Sequence, residues 1–174
     1  MGELFDKLAN YGNSGIYPFH MPGHKRQKTV DFNPYKIDIT EIEGFDNLHH
    51  AEGVLLEAQK KAEKLYGSEE SHFLINGSTA GILSAVSACA KKTVLIARNC
   101  HKAVYHAALI RNLDVYYVYP EIQEEFMLNG GINPADVERS LEEHPEIEAV
   151  VITSPTYDGI VSDVKKLHMH MENR

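Results

Sequence analysis

From residue 71 onward the chain alternates between short apolar runs of strand type and longer segments of helical spacing, and this alternation restricts the fold more than any other feature. Strand-like runs fall at Ser71 to Ile75, Thr93 to Ala97, Val115 to Tyr119 and Glu148 to Thr153. Helical stretches at Thr79 to Ala90, Lys102 to Asn112 and Pro134 to His144 precede the last three of them. Strands spaced by helices predict an α/β fold, a mainly parallel sheet with crossover helices. Asn133 is placed as an N-cap with Pro134 at the first helical position. Ser162 is expected to cap a last helix running to the C-terminus.

Upstream, Val54, Leu55, Ala58, Ala62 and Leu65 repeat at helical spacing up to Tyr66, and Gly67 stops the helix. Leu4 to Tyr11 reads as a short amphipathic helix ended by Gly12-Asn13-Ser14-Gly15. Between them, Tyr17 to about His50 has no clear periodicity and carries Pro18, Pro22, Gly23, Pro34 and Gly44. So long an irregular stretch is expected to be functional or to lie on a partner. The expected division is therefore residues 1–50 as helix and arm, and residues 51–174 as the α/β domain.

The chain has 174 residues, 43% of them hydrophobic, enough for one ordinary core. A net charge of −8 and a pI near 5.6 argue against a nucleic-acid partner, which would need a basic surface. The apolar runs are far too short to cross a membrane, and Met1 to Asn10 has no apolar core of a signal peptide, so a cytoplasmic location with no membrane partner is expected. Cys89 and Cys100 lack CxxC spacing and read as free thiols. Ten histidines invite a metal site, but His101 and His106 are five apart and His168 and His170 two apart, so neither pair shares a helix face; no metal is expected.

Asn76-Gly77-Ser78-Thr79-Ala80-Gly81 follows the apolar Phe73-Leu74-Ile75 and opens a helix of small residues. Backbone N–H groups gather at such a positive helix end, where a phosphate would sit, although the same residues also serve as plain helix caps. The run Val94-Leu95-Ile96-Ala97 leads into Arg98-Asn99-Cys100-His101-Lys102, which places an imidazole at the carboxyl end of a neighbouring strand. A phosphate cup with a flat ring beside it suggests a phosphorylated aromatic cofactor. In the arm, Glu41, Glu43 and Asp46 form an acidic cluster that could attract a basic side chain or simply be solvated.

Those two motifs, together with Phe19-His20-Met21-Pro22-Gly23-His24-Lys25, Asp38-Ile39-Thr40-Glu41, Asp46-Asn47-Leu48-His49 and Pro155-Thr156-Tyr157-Asp158-Gly159, occur in the order and spacing of one family. The chain resembles the pyridoxal-phosphate-dependent ornithine/lysine/arginine decarboxylases, a fold-type-I group, over nearly all of its length. The resemblance implies a partial fold-type-I large domain, pyridoxal 5'-phosphate as cofactor, and a basic amino acid as substrate, converted to the amine and CO2. It also implies a homodimer or higher homo-oligomer, with the arm near the dimer interface and the mouth of the active site.

By the same resemblance, Gly77, Ser78, Thr79 and Ala80 would hold the cofactor phosphate and His101 would stack on the pyridine ring. Ser154 or Thr156 would reach the cofactor's phenolic oxygen or phosphate, although a Pro/Asp/Gly turn explains those residues as well. Two motifs of the family are not found in these residues. One is Asp-Glu-Ala-His, whose Asp pairs with the pyridinium nitrogen; the other is Ser-x-His-Lys, whose Lys forms the Schiff base. Lys25 and Lys102 match other segments. The chain therefore reads as the front part of such a decarboxylase, inert alone, or else as a non-catalytic binding or regulatory fragment that keeps the fold. An unrelated Rossmann-type nucleotide binder is disfavoured by the absence of GxGxxG. The family arrangement would also leave Ser71 to Ile75 without a sheet neighbour, so that strand is expected either to move beside another or to pair with a second copy of the chain.

Overall fold

The computed structural model describes residues 3–17, 19, 25, 31, 33, 36 and 38–172. The chain falls into two compact units, Met1–Gly67 and Ser68–Arg174. Part of the expected arm, including His20 to His24, lies outside the described residues.

The first unit holds α1 (Glu3–Gly12), a single 3-10 turn at Leu48–His50, and α2 (Val54–Tyr66). Gly67 ends α2 in the left-handed region at φ +65, its N–H returning to the Glu63 carbonyl, a conformation that favours glycine. Asp46 anchors the start of α2. One carboxylate oxygen accepts the N–H groups of Asn47 and Glu52 at 2.9 and 3.0 Å, and the other those of Gly53 and Leu55 at 2.9 and 3.0 Å. These bonds hold its carboxyl well below the usual aspartate range, the Glu52 N–H contributing most. The acidic cluster thus supplies a helix anchor at Asp46, a role its charge run did not suggest.

In the second unit, α3 (Gly77–Cys89), β1 (Thr93–Ala97), α4 (Lys102–Arg111), β2 (Asp114–Val118), α5 (Pro134–Glu143), β5 (Ala149–Val151) and α6 (Val164–Glu172) build the α/β layer. A small antiparallel pair, β3 (Ile122–Gln123) and β4 (Leu128–Asn129), interrupts the β2–α5 connection. The main sheet is parallel with order β2-β1-β5, Leu95 standing between Tyr116 and Val150. Every β1 residue is buried, and the strand alternation divides them between two cores. Val94 and Ile96 join Val86, Val104, Ala107 and Ala108 of α3 and α4 on one face. Leu95 and Ala97 join Val137 and Leu141 of α5 and Leu167 of α6 on the other.

Caps set the helix ends. Asn133 accepts the Ala135 N–H at 3.0 Å ahead of Pro134, and Asn112 closes α4 at φ +52. The expected Ser162 cap is not what begins α6. Asp163 accepts the Lys166 N–H at 3.0 Å, while the Ser162 hydroxyl oxygen accepts the Ile132 N–H at 2.9 Å. Glu148 ties the start of the sheet together, accepting the backbone N–H groups of Lys91, Lys92 and Thr93 at 2.7, 2.6 and 3.2 Å.

The largest departure from expectation is Ser71 to Ile75, which forms no strand. The segment is irregular and ends in a turn, with Phe73, Leu74 and Ile75 48%, 52% and 53% exposed. Neither edge of the sheet receives it, so the expected rearranged four-stranded sheet does not form within the chain. A strand is stable only against a neighbour, and apolar character alone does not provide one.

Candidate functional site

The two connections that leave the carboxyl ends of β1 and β5 diverge. β1 runs into α4 on one face of the sheet, and β5 runs toward α6 on the other. Adjacent parallel strands whose following helices lie on opposite faces open a crevice between them, the usual ligand position in open α/β sheets. His101 follows β1 and Ser154 follows β5. Both line one groove of about 480 Å³, walled by Ile82, Val86 and Cys89 of α3, Val104 of α4 and Val151 of β5.

His101 is the N-cap of α4, and its Nδ1 accepts the Ala103 N–H at 3.2 Å. A neutral His101 with Nδ1 so engaged carries its proton on Nε2, and the cap fixes the ring's orientation. The loop before it is clamped by residues that sequence reasoning missed. Arg98 Nη1 donates to the Tyr105 hydroxyl at 2.7 Å, Tyr105 donates back to the Arg98 carbonyl at 2.8 Å, and the guanidinium lies over the Tyr105 and Tyr117 rings at 5.3 and 5.6 Å. Burial pushes the Cys100 thiol up from its ordinary value. The only signal for this clamp was a cation at a strand end seven residues before a tyrosine, which is too common to mean anything unaided. In the same loop the Asn99 amide is buried, and neither its Nδ2 nor its Oδ1 finds a partner among the described residues, an arrangement that ordinarily calls for a further group.

Gly77, Ser78, Thr79 and Ala80 form the first turn of α3, on the same helix as the groove wall. Asn76 precedes them in the left-handed region at φ +62 and makes no side-chain cap, and Gly77 follows at φ +71. The amides of the turn are thus not covered by the capping side chain that plain helix starts use. A methyl placed at Gly77 would meet nothing within 4 Å, so the space before the turn is open. This turn is separate from the residues that line the groove itself.

Ser154 and Thr156 differ in what they hold. The Ser154 hydroxyl oxygen accepts the Ser162 N–H at 3.1 Å from the groove wall. Thr156 is buried, and its hydroxyl oxygen accepts the Ile160 N–H at 3.1 Å while its own N–H donates to the Ile160 carbonyl at 2.8 Å. The structure therefore brings His101 and Ser154 together and ties Thr156 into its own turn. Among the described residues no three His, Cys, Asp or Glu side chains gather as metal ligands would, Cys89 and Cys100 are free thiols, and no helix is long and apolar enough to cross a membrane.

Relatives are found by sequence and by structure. The chain is 36% identical to the uncharacterised protein YaaO of Bacillus subtilis and 30% identical to an arginine decarboxylase of Bacillus cereus, in each case over 94% of its length. It spans 36% and 38% of those two proteins, so it corresponds to little more than a third of each. The constitutive lysine decarboxylase of Escherichia coli superposes with a TM-score of 0.64 at 25% identity, covering 99% of this chain and 28% of that one. The α/β layer is accordingly part of a fold-type-I large domain. The profile of the Orn/Lys/Arg decarboxylase major domain matches residues 3–174, and the chain belongs to that family.

Proposed function

We propose that these residues form the phosphate-holding and ring-stacking part of a pyridoxal-phosphate site in a decarboxylase of lysine, arginine or ornithine, acting in the cytoplasm as a homo-oligomer. The observation that carries the reading is the uncapped first turn of α3 on the helix that also walls the groove holding His101 and Ser154. The residues fit the group. The amides of Gly77 to Ala80 and the hydroxyls of Ser78 and Thr79 would hold a phosphate at a positive helix end. His101 would stack with its ring set by the Ala103 N–H, and Ser154 would supply a hydroxyl from the opposite strand end. Ile82, Val86, Val104 and Val151 would keep water from the buried side of the groove. The cofactor, when bound, supplies an electron sink for the pair released with CO2. Thr156, engaged in its own turn, has the lesser part in this reading.

A second reading is favoured by one fact, that neither the pyridinium-pairing Asp motif nor the Schiff-base Lys motif occurs in these 174 residues. On that reading the chain is a non-catalytic binding or regulatory fragment with the fold retained. Both readings share the phosphate turn, so the turn is tested first. Titration of inorganic phosphate or pyridoxal phosphate into labelled protein should shift the Gly77 to Ala80 amides. Thr79→Pro, which removes one N–H in a helix turn where proline is tolerated, should weaken binding by about tenfold, and Ser78→Ala by less. Shifts confined to Lys91 and Lys92, with the turn unaffected, would refute the site.

A further inference from the structure

A histidine is an unusual residue to open a helix. Ser, Thr, Asp and Asn cap best because a short side chain brings its oxygen to the first amides, whereas the His101 ring reaches the Ala103 N–H through one bond of 3.2 Å, at the long limit for such a contact. That bond holds the ring only while the backbone of residues 98–101 keeps its path. Two contacts tie this path to the sheet. The Arg98 N–H donates to the Val118 carbonyl of β2 at 2.8 Å, and the Cys100 N–H to the Ala97 carbonyl of β1 at 3.0 Å. A third tie comes from α4 itself. Tyr105 stands one turn after His101, and helical side chains lean toward the N-terminus. Its hydroxyl reaches back past the first turn, accepting from Arg98 Nη1 at 2.7 Å and donating to the Arg98 carbonyl at 2.8 Å.

These two bonds join residues seven apart, and His101 lies within the stretch they close. The guanidinium also lies over the Tyr105 and Tyr117 rings, whose centroids are 6.4 Å apart. A cation over a ring tolerates sliding, whereas a hydrogen bond is directional, so the hydroxyl is what turns this contact into a fixed geometry. We propose that Tyr105 is a positioning residue for His101: its hydroxyl, bonded to both the guanidinium and the carbonyl of Arg98, sets the direction in which the imidazole faces the groove shared with Ser154. The inference rests on the reading of His101 as the ring-stacking residue and adds what holds it in place. Every group in the contact belongs to β1, β2, α4 or the loop between β1 and α4.

Tyr105→Phe keeps the ring beside the guanidinium and removes only the hydroxyl. Nitrogen NMR of the histidine-labelled chain at about pH 8, where an ordinary imidazole is neutral, reads the His101 tautomer with no ligand present. The expected result is the Nε2–H form in the native chain. In Tyr105→Phe the Nδ1 resonance should move toward the average of the two tautomers, with the Ala103 amide shifted as well. Pyridoxine phosphate has the ring and phosphate of the cofactor but no aldehyde to react with exposed lysines. It should bind Tyr105→Phe about fivefold more weakly, while inorganic phosphate, held by the turn of α3 alone, binds as before. Arg98→Lys keeps the charge but loses the guanidinium fork, and should change both readouts less and in the same direction, which serves where Tyr105→Phe folds poorly. A lowered urea midpoint with the His101 nitrogens and the ratio of the two affinities unchanged would assign Tyr105 a structural role only and overturn the proposal. His101→Ala separates the proposal from the reading beneath it. If that variant binds pyridoxine phosphate as tightly as the native chain, the stacking reading falls and the proposal with it; weakening by His101→Ala with none by Tyr105→Phe removes the proposal alone.

Discussion

Asp46 takes a left-handed backbone at φ +51, which turns its carboxylate toward the amides that open α2. Four N–H donors favour the charged form, so protonation opposes folding. The stabilisation is complete above the range near 3.8 where an ordinary aspartate ionises, and it is lost as pH falls through the lower folded value. Asn tolerates the left-handed conformation but offers one acceptor oxygen where the carboxylate offers two. Asp46→Asn is therefore expected to lower the unfolding midpoint near neutrality, with the gap to the native chain narrowing from about pH 5 to about pH 2. Urea unfolding across that range checks it, and a gap that widens with acid would contradict the assignment.

At the level of elements, β1 holds the two cores together because its alternate residues enter both. Leu95 is fully buried against Val137, Leu141 and Leu167, and Leu95→Ala should cost about 2–5 kcal/mol in urea unfolding. Ile122→Ala, on an exposed residue of β3, should change stability by less than about 0.5 kcal/mol. That contrast also explains what could be read from sequence. β1 and its neighbours announce themselves because a doubly buried strand is a continuous apolar run, and α5 because Asn133-Pro134 is a start signal with a mechanism. Ser71 to Ile75 has the same apolar run but no neighbour, and pairing is a property of two segments. β3 and β4, two residues each, are too short for any periodicity to show. The Asp46 anchor was hidden because its donors lie one to nine residues ahead with no repeat.

For the whole molecule, sheet order matters more than any single motif. Placing β1 between β2 and β5 sends the following helices to opposite faces and creates the crevice where His101 and Ser154 meet. Sequence pattern indicated the strands and the NGST turn but not their order, since order depends on long-range packing. The family resemblance supplied His101, whose bare neighbourhood in sequence looks ordinary. It also bears on activity, because the residues that would pair with the pyridinium and bond the cofactor covalently are not among these 174. On the proposed reading, in which Gly77 to Ala80 hold the phosphate and His101 stacks on the ring but no such lysine is among these residues, the chain should bind pyridoxal phosphate only reversibly. Borohydride treatment after mixing is expected to trap no stoichiometric adduct at one defined lysine, and carbon-labelled lysine, arginine or ornithine should release no CO2. A single trapped adduct at Lys25 or Lys102, or measurable release from any of the three amino acids, would show that these residues assemble a working centre by themselves and would displace the reading of an inert partial domain.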